Sequence, residues 1–435
     1  MRNQPFFAAG LFCAAFLLTT NLTVQCQPAV KTYAEYLRNA AASGAEIEVF
    51  LHKPSWAQFD PEVGYILGNY APRDGIDESR TISTVRPDGA RTSFVYTGRP
   101  CRINTYGNSF TQCHQASDAE TWQEYLAGHL GEPIRNYGMG GFGVYQAYRR
   151  MLREEKTENA AEYILLYIWG DDHIRSLLRC RYALISGWNK AQDKKEGTGV
   201  MFHGNFWANI EMNMETGRLR EHESRIREPE NLVKMTDPDW MHENLIDDLA
   251  LQMYLYKLGR ISDIDTGQME KLAIHLQTRF DPKADDLRAE VGELLDQYAY
   301  AATRYILDKS RAFARDHGKK LMVLLFDPYG AMRQLLQGQP RKDQQIVDFL
   351  EENDYNYFDM NLIHLEDYRD FNLSIEDYYD RYFIGHYNPQ GNHFFAYSLK
   401  SGLVKWLDPK PFTYQPGDQP SVDFAGYLEG LENAR

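Results

Sequence analysis

Four short segments of this 435-residue chain hold residue types that can do chemistry. Gly107-Asn108-Ser109-Phe110-Thr111 offers a hydroxyl where an apolar stretch gives way to a helical one. A serine there falls at the carboxyl edge of a parallel sheet, where open α/β folds bind ligands. Its own N–H, near a helix N-terminus, can hold a developing oxyanion. The same turn also suits a plain N-cap serine. Asn136-Tyr137-Gly138-Met139-Gly140-Gly141 supplies glycines that let backbone N–H groups approach a ligand closely. It serves equally as a tight turn, and it lacks the spacing and the Lys-Ser/Thr of a phosphate loop. Gly170-Asp171-Asp172-His173 places charge directly after the most apolar run of the chain, as a polar active-site rim or a solvated loop would. Gly385-His386-Tyr387-Asn388-Pro389 sets an imidazole at a loop-to-helix junction, with Pro389 suited to the first helical turn. A serine and a distant histidine are the parts of nucleophilic acyl transfer.

These segments need elements to carry them. Arg102 to Tyr106 reads as a short strand, and Trp122, Tyr125, Leu126 and Leu130 mark one face of a following helix. Tyr145, Tyr148 and Met151 mark another helix. Tyr163 to Trp169 and Lys319 to Phe326 are continuous apolar runs, the signature of strands buried on both faces of a parallel sheet. Tyr355 to Asp359 reads as a short last strand. Strands alternating with helices predict βαβ units and a doubly wound sheet. Residues 27–100 read as an N-terminal arm or lid, with a helix over 29–45 and turns at Pro72-Arg73-Asp74-Gly75 and Pro87-Asp88-Gly89. The α/β core is expected over 101–410, interrupted by an insertion at about 180–282, with a tail over 411–435. Within the insertion, Phe206 to Arg218 alternates like a hairpin that turns at Thr216-Gly217, and helices follow around 241–260 and 284–316. An insertion there shapes substrate access or serves as a decorative subdomain or oligomer contact.

Taken in order, Gly-x-Ser, Asn-x-Gly-x-x-Gly, Gly-x-x-Asp and a late His before Asn-Pro-x-Gly, the chain resembles the SGNH (GDSL-like) hydrolase superfamily over roughly residues 101–175 and 319–406. The resemblance implies a flavodoxin-like three-layer α/β/α sandwich and no cofactor. It implies Ser109 as nucleophile, Gly141 as an oxyanion donor beside the Ser109 N–H, and His386 as general base. Three positions depart from the family pattern. Its Gly-Asp-Ser is Gly-Asn-Ser here, its third-block oxyanion Asn aligns with Asp172, and its Asp three residues before the histidine aligns with Phe383. Among upstream carboxylates, Asp380 is favoured over Asp377 as the replacement partner for His386. Asp172 can help an oxyanion only if it is protonated.

Composition narrows the partners. A net charge of −14 argues against nucleic acid and against anionic membranes. Arg2 followed by the uncharged run Phe6 to Thr20 reads as a signal peptide over 1–26, so the protein is expected to be exported, periplasmic or secreted. Cys26 offers a weak lipoprotein site, and no later stretch is apolar enough to span a bilayer. Cys101, Cys113 and Cys180 are too few for a disulfide scaffold; a Cys113–Cys180 bridge and buried free thiols are both open. The 29 Tyr and 7 Trp suit sugar rings, though they also suit a core. The expected activity is removal of O-acetyl or other short acyl groups from a small-molecule or polysaccharide ester. The rival readings are an O-acetyltransferase or a general short-chain esterase, a metal phosphoesterase built on Asp171, Asp172, His173, His386 and His393, and an inactive glycan-binding protein.

Overall fold

A computed structural model describes residues 30–53, 55–186 and 203–415. The apolar run Phe6 to Thr20, Cys26 and the tail beyond residue 415 lie outside them. The arm opens with helices α1 (Tyr33–Asn39) and α2 (Gly44–His52). The single helix expected over 29–45 is divided because the sequence carries two capping boxes, Thr32 with Glu35 and Ser43 with Glu46, and the second restarts the helix. A hairpin follows, β1 (Ala57–Asp60) paired with β2 (Gly64–Leu67). Tyr33, Leu37, Phe50, Trp56 and Tyr65 bury into the same core as the insertion, so the arm is packed into the body.

The centre is a five-stranded parallel sheet: β3 (Ile103–Tyr106), β4 (Arg135–Asn136), β5 (Tyr163–Ile168), β8 (Lys320–Leu325) and β9 (Tyr357–Asp359), in the order β4-β3-β5-β8-β9. All six residues of β5 are buried, and their alternation explains why the run is apolar throughout. Tyr163, Leu165 and Tyr167 face one core with helix α4 (Trp122–Leu130) and helix Pro389–Trp406. Ile164, Leu166 and Ile168 face the other, with α5 (Val144–Glu154) and the 30-residue helix Leu287–Asp316. Helices thus cover both faces of the sheet.

Two short helices start at its carboxyl edge, α3 (Ser109–Gln112) after β3 and α6 (Gly170–Arg175) after β5. The insertion leaves the chain beyond α6. Its hairpin pairs β6 (Asn209–Asn213) with β7 (Arg218–His222), a few residues later than the alternation suggested, and turns at Gly217 with φ +67°. Helices Pro238–Leu245, Leu249–Lys257 and Thr266–Leu276 complete it. Cys101, Cys113 and Cys180 are all free, so the Cys113–Cys180 bridge is absent. Among the described residues no helix is long and apolar enough to cross a membrane.

Candidate active site

The turn from β3 into α3 is tight because Gly107 allows it. A Cβ there would overlap the Thr111 hydroxyl and come within 2.9 Å of Tyr167 Cβ. Asn108 then caps α3, its side-chain oxygen accepting from the Phe110 N–H at 2.7 Å. This leaves Ser109 as the first helical residue, with its hydroxyl oxygen 2.8 Å from His386 Nε2. The two residues are 277 positions apart, and the loop Phe383–Tyr387, which closes into helix Pro389–Trp406, delivers the ring. On one side of that ring lies Phe110, with centroids 5.0 Å apart.

His386 is oriented by Gln115. The Gln115 Oε1 accepts from both the His386 backbone N–H and ring Nδ1, each at 2.9 Å, while its Nε2 donates to the Asp74 carbonyl at 3.0 Å. A carbonyl at one end and an N–H at the other permit only this amide orientation. Nδ1 therefore carries the proton, and Nε2 presents its lone pair to Ser109. Gln115 sits at φ 69° and Cys113 at φ 61°, left-handed conformations that cost about 1–2 kcal/mol per non-glycine residue. The expected acid does not fill this place. Asp380 lies exposed on helix Ile375–Tyr382, and Phe383 stacks on Tyr387 with centroids 4.8 Å apart.

A second histidine borders the first. His114 meets His386 edge-on at 5.0 Å, its own N–H donates to the Ser109 carbonyl at 2.9 Å, and its Nε2 is 3.5 Å from Asp74. Burial holds the His386 imidazole well below the usual histidine range, and the charges of His114 and Arg175 push the same way. The ring is consequently a free base at neutral pH.

The two sequence departures at residues 108 and 172 touch each other. Asn108 Nδ2 donates to Asp172 Oδ2 at 2.5 Å. The same oxygen accepts from the Trp169 N–H at 2.9 Å, and Oδ1 takes Arg175 at 3.1 Å. Burial pushes the Asp172 carboxyl up to about 7, against the pull of Arg175. Its oxygens are thus engaged by Asn108, Trp169 and Arg175, and it offers no donor in its charged form. Backbone donors remain. Among the described residues, neither the Ser109 N–H nor the Gly141 N–H is engaged in a hydrogen bond. The Gly140 N–H is held by Gln112 Oε1 at 2.8 Å.

Gly141 has φ +83°, and a Cβ on it would overlap the Arg181 guanidinium and approach Tyr65 Oη to 2.7 Å. Trp56, Tyr65 and Asp74 all come from the arm, so residues outside the resembling region complete the site. Gln115, His114 and Arg181 were missed by sequence reasoning. Gln115 and His114 stand within six residues of Ser109, but only the two left-handed turns aim them at His386. Arg181 carried no signal.

A cleft of about 290 Å³ runs along the same sheet edge, lined by Trp169, Asp171, Tyr300, Asp327 and Tyr329 among others. It adjoins the histidine loop, since the Tyr329 hydroxyl donates to the Gly385 carbonyl. Among the described residues no group of three or more His, Cys, Asp or Glu is arranged to hold a metal ion. Of the phosphoesterase ligand candidates, His173 bonds Thr303 and His393 is exposed beside Tyr125. No family model matches the chain, and no curated protein matches it.

Proposed function

We propose that the protein is an exported serine esterase of the SGNH kind that removes O-acetyl or other short acyl groups from a carbohydrate. The observation that carries the reading is the 2.8 Å contact between Ser109 Oγ and His386 Nε2, with the far ring nitrogen fixed by Gln115. The sheet order, with the second strand outside the first and the rest following in sequence, supports a flavodoxin-like reading, and sheets of that kind bind ligands at this edge. In the reaction, Ser109 Oγ bonds to the ester carbonyl carbon as its proton passes to His386 Nε2. The carbonyl electron pair moves to oxygen, beside the Ser109 and Gly141 N–H groups. Collapse expels the alcohol, which takes the proton back from His386, and water repeats the cycle to free the acid.

His386 works here without a carboxylate. Gln115 fixes the tautomer but adds no charge to stabilise the imidazolium. The cleft beside the histidine loop, with carboxylate acceptors and aromatic rings, suits a ligand rich in hydroxyl groups. Acetate release from a panel of acetylated polysaccharides, for wild type and Ser109→Ala, tests the reading. Activity in wild type and none in a folded Ser109→Ala variant is expected. Equal release by both would end it.

A further inference from the structure

Buried guanidinium groups elsewhere in the molecule have carboxylate partners. Arg91 reaches Asp118 at 2.8 Å, Arg341 reaches Asp343 at 2.6 Å, and Arg175 reaches Asp172 at 3.1 Å. Arg181 makes no ion pair among the described residues, and its Nη1 is buried with no hydrogen-bond partner. Arg181 as a whole is half-buried, and a guanidinium nitrogen taken out of water without a partner is costly. What it packs against is specific: the Cα of Gly141, together with Tyr65, whose hydroxyl also donates to the Gly140 carbonyl at 3.2 Å. Arg181 and Tyr65 therefore back the glycine turn whose N–H is left free. The carboxylate whose charge reaches Arg181 is Asp171, which lies half exposed and pairs with Arg175 at 3.5 Å, and Asp172 is committed to Arg175, Asn108 and the Trp169 N–H. Neither forms an ion pair with Arg181, and a negative charge that would form beside this turn in the proposed reaction is the oxyanion.

We propose that Arg181 is a positioning residue for the oxyanion: its fixed positive charge, braced by Tyr65 behind Gly141, stabilises the tetrahedral intermediate where the aligned Asp172 cannot. The proposal rests on Ser109 being the nucleophile. It assigns Arg181 no contact with the ground-state ester: the guanidinium packs against the side of Gly141 that a Cβ would occupy. The charge it answers appears only when the carbonyl electron pair moves onto oxygen, and it disappears when the alcohol leaves.

The test compares wild type, Ser109→Ala, Arg181→Met and Arg181→Lys on p-nitrophenyl acetate. It also compares their rates of inactivation by a p-nitrophenyl phosphonate, whose adduct carries the same oxygen. Arg181→Met is expected to lower kcat about 10- to 100-fold, less than the loss of a direct oxyanion donor. KM should stay within about twofold, and phosphonylation should slow in parallel. Arg181→Lys, which keeps the charge, should recover most of the loss. A folded Arg181→Met with wild-type kcat overturns the proposal and leaves the serine-esterase reading standing. So does a folded Arg181→Lys as impaired as a hundredfold, which also decides the matter if Arg181→Met does not fold. A wild type with no Ser109-dependent turnover overturns both.

Discussion

Replacing Gln115 by glutamate asks what a neutral partner does to His386, the base of the proposed reaction. In the wild type the amide oxygen is 2.9 Å from Nδ1 and donates no charge. A carboxylate there would put unit charges about 4 Å apart, worth about 4 kcal/mol at an effective dielectric near 20. Glutamate also loses the N–H that bonds the Asp74 carbonyl at 3.0 Å and turns an anionic oxygen toward that carbonyl, a penalty of about 1–3 kcal/mol. The balance is about 1–3 kcal/mol in favour of the imidazolium, or about one to two pH units in the histidine. The sign is decisive. The wild-type ring titrates well below the usual histidine value, so its free-base form persists into acid. Raising its pKa moves the acidic limb of the rate profile upward, so Gln115→Glu loses activity at a higher pH than wild type does on the acid side and gains up to about tenfold in kcat near pH 8. The assay is kcat/KM and kcat against pH with an aryl acetate. A Gln115→Glu profile that superimposes on wild type would refute the assignment of Gln115. Gln115→Leu serves as the control: with Nδ1 unpartnered the tautomer is free to change, and kcat should fall by up to about 10⁴.

Two further outcomes follow from the geometry. His386→Ala should abolish turnover, whereas His393→Ala and Asp380→Asn should leave kcat within about twofold, since both residues are exposed and His393 meets only Tyr125 and His129; steady-state kinetics check the ranking. His364 lies buried between the Tyr378 and Tyr387 hydroxyls, at 2.8 and 2.5 Å, and burial lowers it to about 3. Its neutral-state stabilisation is complete above pH ~6.5 and is lost as pH falls toward the folded value, amounting to about 2 kcal/mol between pH 7 and pH 5. His364→Gln should flatten the stability difference between those two pH values by that amount in urea unfolding; an unchanged difference contradicts the assignment.

The sheet was legible because its strands are buried on both faces, which forces apolar runs at Tyr163–Ile168 and Lys320–Leu325 with helices between. Ser109 and His386 were legible because each sits where an element starts, and Gly107, Asn108 and Pro389 announce such starts in one dimension. The partner of His386 was not. Upstream in the sequence the carboxylate on offer is Asp380, whereas the space is filled from across the site by a residue in a left-handed turn. Asp172 misled for a related reason. Read alone it is a charge aimed at an oxyanion, and only its bond to Asn108 shows that it faces another way. The arm's share was hidden because Trp56 and Tyr65 look like ordinary core aromatics until the glycine turn is seen against them.

The Asn108–Asp172 bond also constrains how this sequence can drift. It ties the end of β3 to the start of α6 through one amide and one carboxylate, with Arg175 leaning on the carboxylate. Changing Asn108 to aspartate alone would set two carboxylates face to face, able to coexist only by sharing a proton. Changing Asp172 to asparagine alone would strip Arg175 of its closer partner and leave a buried charge exposed to loss of several kcal/mol. Exchanging both restores an amide–carboxylate pair but moves the negative charge from the start of α6, after β5, to the turn that carries Ser109. The two positions are therefore joined like a lock with two keys: neither single step is comfortable, and only the double exchange keeps an amide–carboxylate pair. Two positions that look unrelated in the sequence, 64 residues apart, are the two ends of one contact.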